Sequence, residues 1–483
     1  MDLWFTLLAV VLTVSALVAG LVIRGPLSFP MLFLSLGLIL GPGALGVVNL
    51  EPRSPALGAV ATVSLALVLF LDAAKLDADE LRRHWSVPVL SLGPVTLLTV
   101  GGIAVAAHFL FGAGLVPSLL LGAVLATTDP VVMRDVLRNE QIPRSVRQAL
   151  GVEAGMNDVV VLPLVLVLSA VLEATSRSVL DWAVFLAELL LLSPLMGLVI
   201  GGIGAWLMGK IDERQSVPRE YQSLYGLGLV LASYVGAQAV GGDGFLAAFF
   251  AGVAVNVFDV TLCDCFMDYG EVTAEMAMLL AFILFGIVLS SLLPLAPLVP
   301  SLALAALVIL VIRPLTVWLV LRRARISLFA QGFIGWFGPR GLSALLLALL
   351  VVMADLPLGD HLLAITGVVV LVSVVAHGVT ATPLSAWYGR RVARARQTEP
   401  EERVGTVGGL FEGEATEIPR IAPEELARQL AGPEPPIVLD VRARAAYEDS
   451  NGQIPGSVRV LPDHVTDWAA RHQPGRAVVA YCT

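Results

Sequence analysis

Along its first 388 residues the chain alternates between long apolar blocks and short polar gaps. The blocks fall near 3–23, 28–47, 56–74, 86–111, 115–134, 146–172, 178–208, 221–239, 244–258, 273–292, 298–320, 330–353 and 362–388. Most have the length of about twenty residues that a helix needs to cross a bilayer, so the pattern predicts roughly thirteen transmembrane helices. A different pattern begins at "GRRVARARQTEPEERVGTVGGLFEGEATE", where charges and glycines replace aliphatics as they do in exposed linkers. Beyond it, "PEELARQL" reads as a short amphipathic helix, and "PIVLDV" and "RAVVAYC" as strands. The expected organisation is a transmembrane domain over 1–388, a linker over 389–417 and a small α/β piece over 418–483.

Composition agrees with this division. Of the 483 residues, 57% are hydrophobic and only 14% charged, against roughly a quarter charged in soluble domains. The chain's main partner is therefore the lipid bilayer, and no nucleic-acid partner is expected. The three cysteines, Cys263, Cys265 and Cys482, lack the count and spacing of a disulfide framework. The N-terminal block has no basic flank and no small-residue cleavage pattern before Arg24, so it is expected to be a retained first span. The gaps after odd-numbered blocks carry arginines and lysines, such as Lys75, Arg82, Arg83, Arg134, Arg138, Lys210 and Arg214. The gaps after even-numbered blocks carry almost none beyond Arg53 and Arg177. This bias places the N-terminus outside and the C-terminus in the cytoplasm, with the protein in the inner (plasma) membrane.

Three clusters put polar chemistry where hydrocarbon is expected. In "ATTDPVVM", Pro130 removes a backbone donor and clashes with the preceding turn, so the helix is expected to break near Asp129. Freed carbonyls, the hydroxyls of Thr127 and Thr128 and the Asp129 carboxylate are hard oxygen ligands for an alkali cation. A proline kink satisfied by neighbouring helices is the plainer alternative. In "EAGMND", Glu153 and Asn157 lie four apart on one helix face, and Asp158 lies about 100° further round from Asn157. A carboxylate buried there binds a proton or a cation but not both comfortably, which is enough to couple two flows. A structural hydrogen-bond cluster is the alternative. In "WFGPRGLSALLL", Pro339 between Gly338 and Gly341 interrupts a third span and leaves Arg340 at membrane depth. An unpaired cation there is expensive, and Glu153 is its expected partner in an ion pair. The breaks fall in the fifth and twelfth spans, corresponding positions if the two halves are inverted repeats with the site between them.

"TTDP", "EAGMND", "GGDGFLAAFFAGVAV", "FGPRGLSA" and "AHGVTATPLSAW" together resemble the signature segments of the sodium/proton antiporters. The branch most similar carries Asn-Asp in the sixth helix: the NhaP-type antiporters and the eukaryotic exchangers. The resemblance spans 1–388. It implies an all-α polytopic membrane protein of about thirteen helices with two broken crossing helices, forming a homodimer that works by elevator-like alternating access. It implies that Asp158 carries proton and cation in turn, that Asp129, Thr128 and Glu153 line the site, and that Asn157 holds the crossing together. It also implies electroneutral exchange. One departure stands out: Ala154 follows Glu153 where many relatives carry serine, so a water or another oxygen must replace that hydroxyl. No cofactor is expected, and no metal beyond the transported cation.

The expected function is exchange of Na⁺ (or Li⁺) for H⁺. K⁺/H⁺ antiport is an alternative, since the ligand types do not fix ion size. Weaker candidates are Arg313-Pro314, His377, the Cys263/Cys265 pair and an acidic vestibule built from a 259–272 loop with Glu271 and Glu275. At the C-terminal end, "IVLDVRARAAYE", "GQIPGSV" and "VVAYCT" resemble a rhodanese domain, with Cys482 as the sulfur-carrying nucleophile. That nucleophile needs the loop that follows it, and only Thr483 follows here, so the piece is expected to be inactive. A membrane-anchored sulfurtransferase or sulfur-responsive sensor is the alternative of another class. It leaves the polar groups inside three spans unexplained.

Overall fold

The computed structural model describes residues 9–10, 13–14, 16–17, 20, 28–75, 89–139, 142–173, 178–215, 217–258, 260–322, 326–394, 421, 423–432, 435–441, 453–460, 468 and 477–481. The side chains of 144, 215, 219, 260–269, 393–394 and 423–424 lie outside that description. The chain divides into two compact units, Met1–Leu410 and Phe411–Thr483.

The first unit is helical. Its elements are α1 (Phe29–Leu40), α2 (Pro55–Ala74), α3 (Thr96–Phe111), α4 (Leu115–Ala126), α5 (Arg134–Arg138), α6 (Arg144–Glu173), α7 (Val179–Ala187) and α8 (Ser193–Gln215). They continue as α9 (Arg219–Ala239), α10 (Gly244–Phe258), α11 (Val260–Leu292), α12 (Leu298–Leu307), α13 (Arg313–Leu321), α14 (Leu328–Trp336), α15 (Leu342–Met353) and α16 (Gly359–Arg394). Among the described residues, 7 helical stretches are long and apolar enough to cross a membrane. The shorter apolar helices are α1, α4, α10 and α15. This is a polytopic membrane protein.

Prolines decide where the long helices deform. Pro94, Pro194 and Pro314 each lie inside or just beyond a π-turn, at Ser91–Val95, Glu188–Leu192 and Val308–Ile312. A proline cannot donate to the preceding turn, and the wider π geometry absorbs the mismatch without ending the helix. Pro130 and Pro339 act more strongly: α4 stops at Ala126 and α14 at Trp336, and extended or turn backbone follows each. Elsewhere small residues let helices touch, as membrane packing favours. A Cβ on Gly37 of α1 would come within 2.9 Å of the Gly286 Cα in α11.

Three expectations are corrected. The block at 28–47 is helical only to Leu40, because Gly41-Pro42-Gly43 stops it. The loop expected over 259–272 is helical from Val260, as the first turns of α11. The linker expected from 389 begins with helix, since α16 runs to Arg394. In the last two cases the change from apolar to charged residues marks where a helix leaves the apolar region, not where it ends. The expected first span, at 3–23, falls mostly outside the described residues.

In the second unit, α17 (Pro423–Leu430) precedes a parallel sheet of β1 (Ile437–Asp440), β2 (Val458–Arg459) and β3 (Val478–Tyr481), ordered β2-β1-β3. Asp440, buried at the end of β1, accepts hydrogen bonds from the Tyr481 hydroxyl (2.8 Å) and Arg459 Nη1 (3.5 Å). Cys482 lies outside the described residues.

Candidate ion-binding site

The two helix breaks face each other and are stitched together. The Asp129 amide donates to the Pro339 carbonyl (2.9 Å), joining one break to the other through backbone. Each break then supplies the charge that the other's half-helix needs. Asp129 Oδ2 accepts the Leu342 amide (2.6 Å) at the N-terminus of α15, while its Oδ1 accepts the Val131 amide (2.8 Å). In return, Arg340 Nη1 donates to the carbonyls of Ala126 (3.3 Å) and Thr127 (3.1 Å) at the C-terminus of α4. A carboxylate at a helix N-terminus and a guanidinium at a C-terminus each offset the local helix dipole and satisfy groups left without partners. Gly341 makes the approach possible, because a Cβ there would occupy the space of the Asp129 carboxylate. The Arg340 amide donates to Ser373 Oγ (2.7 Å), which ties this break to α16.

The expected Arg340–Glu153 ion pair is therefore corrected. Glu153 is bound by Arg313, whose Nη1 and Nη2 donate to its two carboxylate oxygens (Nη2 at 2.8 Å), and by the Ser91 hydroxyl (2.8 Å). The π-turns are what bring these groups there, since Ser91 opens one and Arg313 directly follows another. Gly338 leaves room for the Arg313 guanidinium, which a Cβ would meet at 2.6 Å. Arg313 had been a weak candidate on sequence; it is the cation that neutralises Glu153, and Arg340 is occupied with backbone carbonyls instead.

One turn further along α6, Asn157 Nδ2 donates to Thr128 Oγ1 (2.7 Å), fastening α6 to the first break. The Ser343 hydroxyl, on the first turn of α15, lies close to the Asp158 carboxyl. Asp158 faces no basic side chain among the described residues, and its Oδ1 has no hydrogen-bond partner there. Asn157 Oδ1 is likewise without a partner. Thr128, Asp129, Asn157 and Asp158 thus meet at the crossing, with exposures of 1%, 2%, 0% and 3%. An unneutralised carboxylate at that depth costs about 2.5–3.5 kcal/mol on insertion scales, which makes it a functional position by default.

A cavity of about 200 Å³ borders the first break. Its lining includes Asp72 on α2, Pro130 and Val131 of the first break, and Glu271 and Glu275 on α11. The acids of α11 are paired there: Glu271 with Lys75 (2.9 Å) and Glu275 with Arg134 (2.5 Å). Asp72, which sequence reading missed, lines this cavity together with Lys75. Beside Lys75 at the end of an apolar block, it reads as an ordinary helix-end acid. Ser343 was missed as a site residue because a single serine in an apolar helix carries no signal. His377 is buried, with its ring nitrogens against the carbonyls of Ser373 (2.8 Å) and Trp336 (2.9 Å). The side chains of Cys263 and Cys265 lie outside the description.

Two broken helices meeting around a buried carboxylate, with a cavity at the first break, are the architecture of a membrane carrier. The chain belongs to the sodium/hydrogen exchanger family: the model for "Sodium/hydrogen exchanger, transmembrane" matches residues 4–387. Among relatives, the K(+)/H(+) antiporter NhaP of Alkalimonas amylolytica is 26% identical over 384 residues, covering 78% of this chain and 66% of its own length. NhaP2 of Shewanella sp. (strain MR-4), also a K(+)/H(+) antiporter, is 26% identical over 386 residues with the same coverage, so the chain spans just under two thirds of these relatives. The Na(+)/H(+) antiporter 2 of Zygosaccharomyces rouxii is 29% identical over 208 residues, 40% of this chain and 25% of that protein. The fold matches that of the sodium proton antiporter MjNhaP1 from Methanocaldococcus jannaschii at TM-score 0.66 and 21% identity, covering 82% of this chain and 99% of that one.

Proposed function

We propose that the transmembrane unit is a secondary antiporter exchanging Na⁺ (or Li⁺) for H⁺ by alternating access, with Asp158 as the group that holds either ion. The observation that carries this reading is the contrast in pairing. Glu153 and Asp129 have their charges offset by Arg313 and by the α15 N-terminus, whereas Asp158 keeps a buried oxygen with no partner among the described residues. With Asp158 charged and empty, a cation entering past Asp72 and Pro130 finds a carboxylate ready to bind it. With the cation gone, a proton takes its place at the same group. The two loadings exclude each other, and that exclusion is the coupling. One cation for one proton follows if Asp158 is the sole exchanging acid, since its neighbour Asn157 is neutral. Thr128, Asn157 and the freed carbonyls supply neutral oxygens, and Arg340 and Asp129 hold the half-helices open around them.

K⁺/H⁺ antiport is the second reading, favoured by two relatives that carry that name. The working protein is proposed to be a homodimer in the inner (plasma) membrane, with the cavity side and the C-terminus in the cytoplasm, as the distribution of arginines suggests. The piece over 418–483 is proposed to be rhodanese-like. In proteoliposomes carrying an internal pH dye, added Na⁺, Li⁺ or K⁺ is expected to dissipate a preset pH gradient. Asp158→Asn is expected to abolish that response, and Cys482→Ala to leave it unchanged. The opposite pattern supports the sulfur-responsive reading. The rate is expected to fall at low pH, where protons occupy the site, and at high pH, where they become scarce.

A further inference from the structure

We propose that Ser343 is a cation ligand and sets ion preference, so that the seat is shared between α6 and the first turn of the opposing half-helix α15. This rests on the antiport reading and names the part of the site that distinguishes one alkali ion from another. The crossing holds few side-chain oxygens still able to serve. Asp129 has accepted two backbone amides, and the Glu153 carboxylate is filled by Arg313 and Ser91. Among the described residues, Asp158 Oδ1 and Asn157 Oδ1 remain without partners, both fully buried, and the Ser343 hydroxyl lies close to the same Asp158 carboxyl. Ser343 is itself only 5% exposed. Ala154 offers nothing, since it packs into the apolar cluster of Leu150, Phe337 and Tyr388.

A serine hydroxyl suits this place because it both donates and accepts. It donates to an empty Asp158 carboxylate, accepts from a protonated one, and turns its lone pairs to a cation when one is bound. Alkali-ion preference depends on the number and field strength of such oxygens. A ligand carried by α15 is positioned by the Asp129 cap on Leu342, one residue before it. The seat is then complete only while the two breaks are docked.

The test is calorimetric binding of Na⁺, Li⁺ and K⁺ to the purified full chain, run beside liposome exchange. Ser343→Ala is expected to weaken binding of the preferred cation by about tenfold, to change the ratio between ions, and to raise the exchange KM with little change in rate at saturating cation. Ser343→Thr, which keeps the hydroxyl, is expected to stay close to the parent protein. Equal affinities for all three ions in Ser343→Ala and the parent overturn the proposal. So does loss of exchange rate in both variants with binding unchanged, which marks a packing role. If the parent binds cations but does not exchange them, the antiport reading fails while the binding comparison still decides the role of Ser343. If the parent binds none of the three, both fall.

Discussion

Glu153 and Asp158 sit on the same helix, at nearly the same burial, 2% and 3% exposed, and are treated in opposite ways. Glu153 is enclosed by Arg313 and Ser91, each delivered at the end of a π-turn in a neighbouring helix. Asp158 has, among the described residues, the nearby Ser343 hydroxyl and an oxygen without a partner. The first arrangement is a fixed ion pair, whose removal unbalances the fold. The second is a charge whose compensation has been left to come and go. Depth in the membrane does not separate a structural acid from a working one; the partners do.

Variants can sharpen this contrast, beginning with the strongest. Arg313→Leu leaves Glu153 charged and alone, and is expected to cost about 3–5 kcal/mol, read as a large fall in Tm in detergent. The double variant Arg313→Leu/Glu153→Leu is expected to recover most of that loss; no recovery would mean the pair is not a closed unit. Arg340→Leu removes the donor from the carbonyls of Ala126 and Thr127, and is expected to cost about 1–3 kcal/mol. Asp129→Asn keeps one acceptor but loses the charge at the α15 N-terminus, and is expected to cost about 1 kcal/mol. The smallest effect belongs to Arg53, which is hydrogen-bonded to the exposed acids Asp355 (2.9 Å) and Asp360 (3.1 Å). Those bonds raise its pKa above the usual arginine value. Arg53→Ala is expected to change stability by at most about 1 kcal/mol, and by less in high salt.

The two breaks were legible in the sequence because proline and glycine act locally: Pro130 and Pro339 interrupt their helices whatever surrounds them. The placing of Asn157 and Asp158 at the crossing follows from helical periodicity and from the rarity of acids in apolar blocks. The pairing of charges was not legible. Arg313 and Arg340 are both buried cations near a proline, and choosing Glu153's partner requires the rotation of three helices and the count of unsatisfied carbonyls. Asp72 was hidden by its neighbour Lys75, although Asp72 lines the cavity at the first break. The start of α11 was misread for a related reason. Glu271 and Glu275 resemble loop acids, but as parts of a helix they face the basic groups of α2's end and α5.

The claim on which all this depends is that Asp158, unlike Glu153, trades a proton for a cation. Proton release on cation binding measures that directly, by titrating Na⁺, Li⁺ or K⁺ into weakly buffered purified protein on the acid side of its pH profile, where the exchanging acid is protonated before the cation arrives. About one proton released per cation bound is expected, by linkage, if a single acid exchanges its load. Asp158→Asn, with its Tm preserved, is expected to release none, while the paired replacement Arg313→Leu/Glu153→Leu keeps the parent count. Undiminished release from Asp158→Asn contradicts the account.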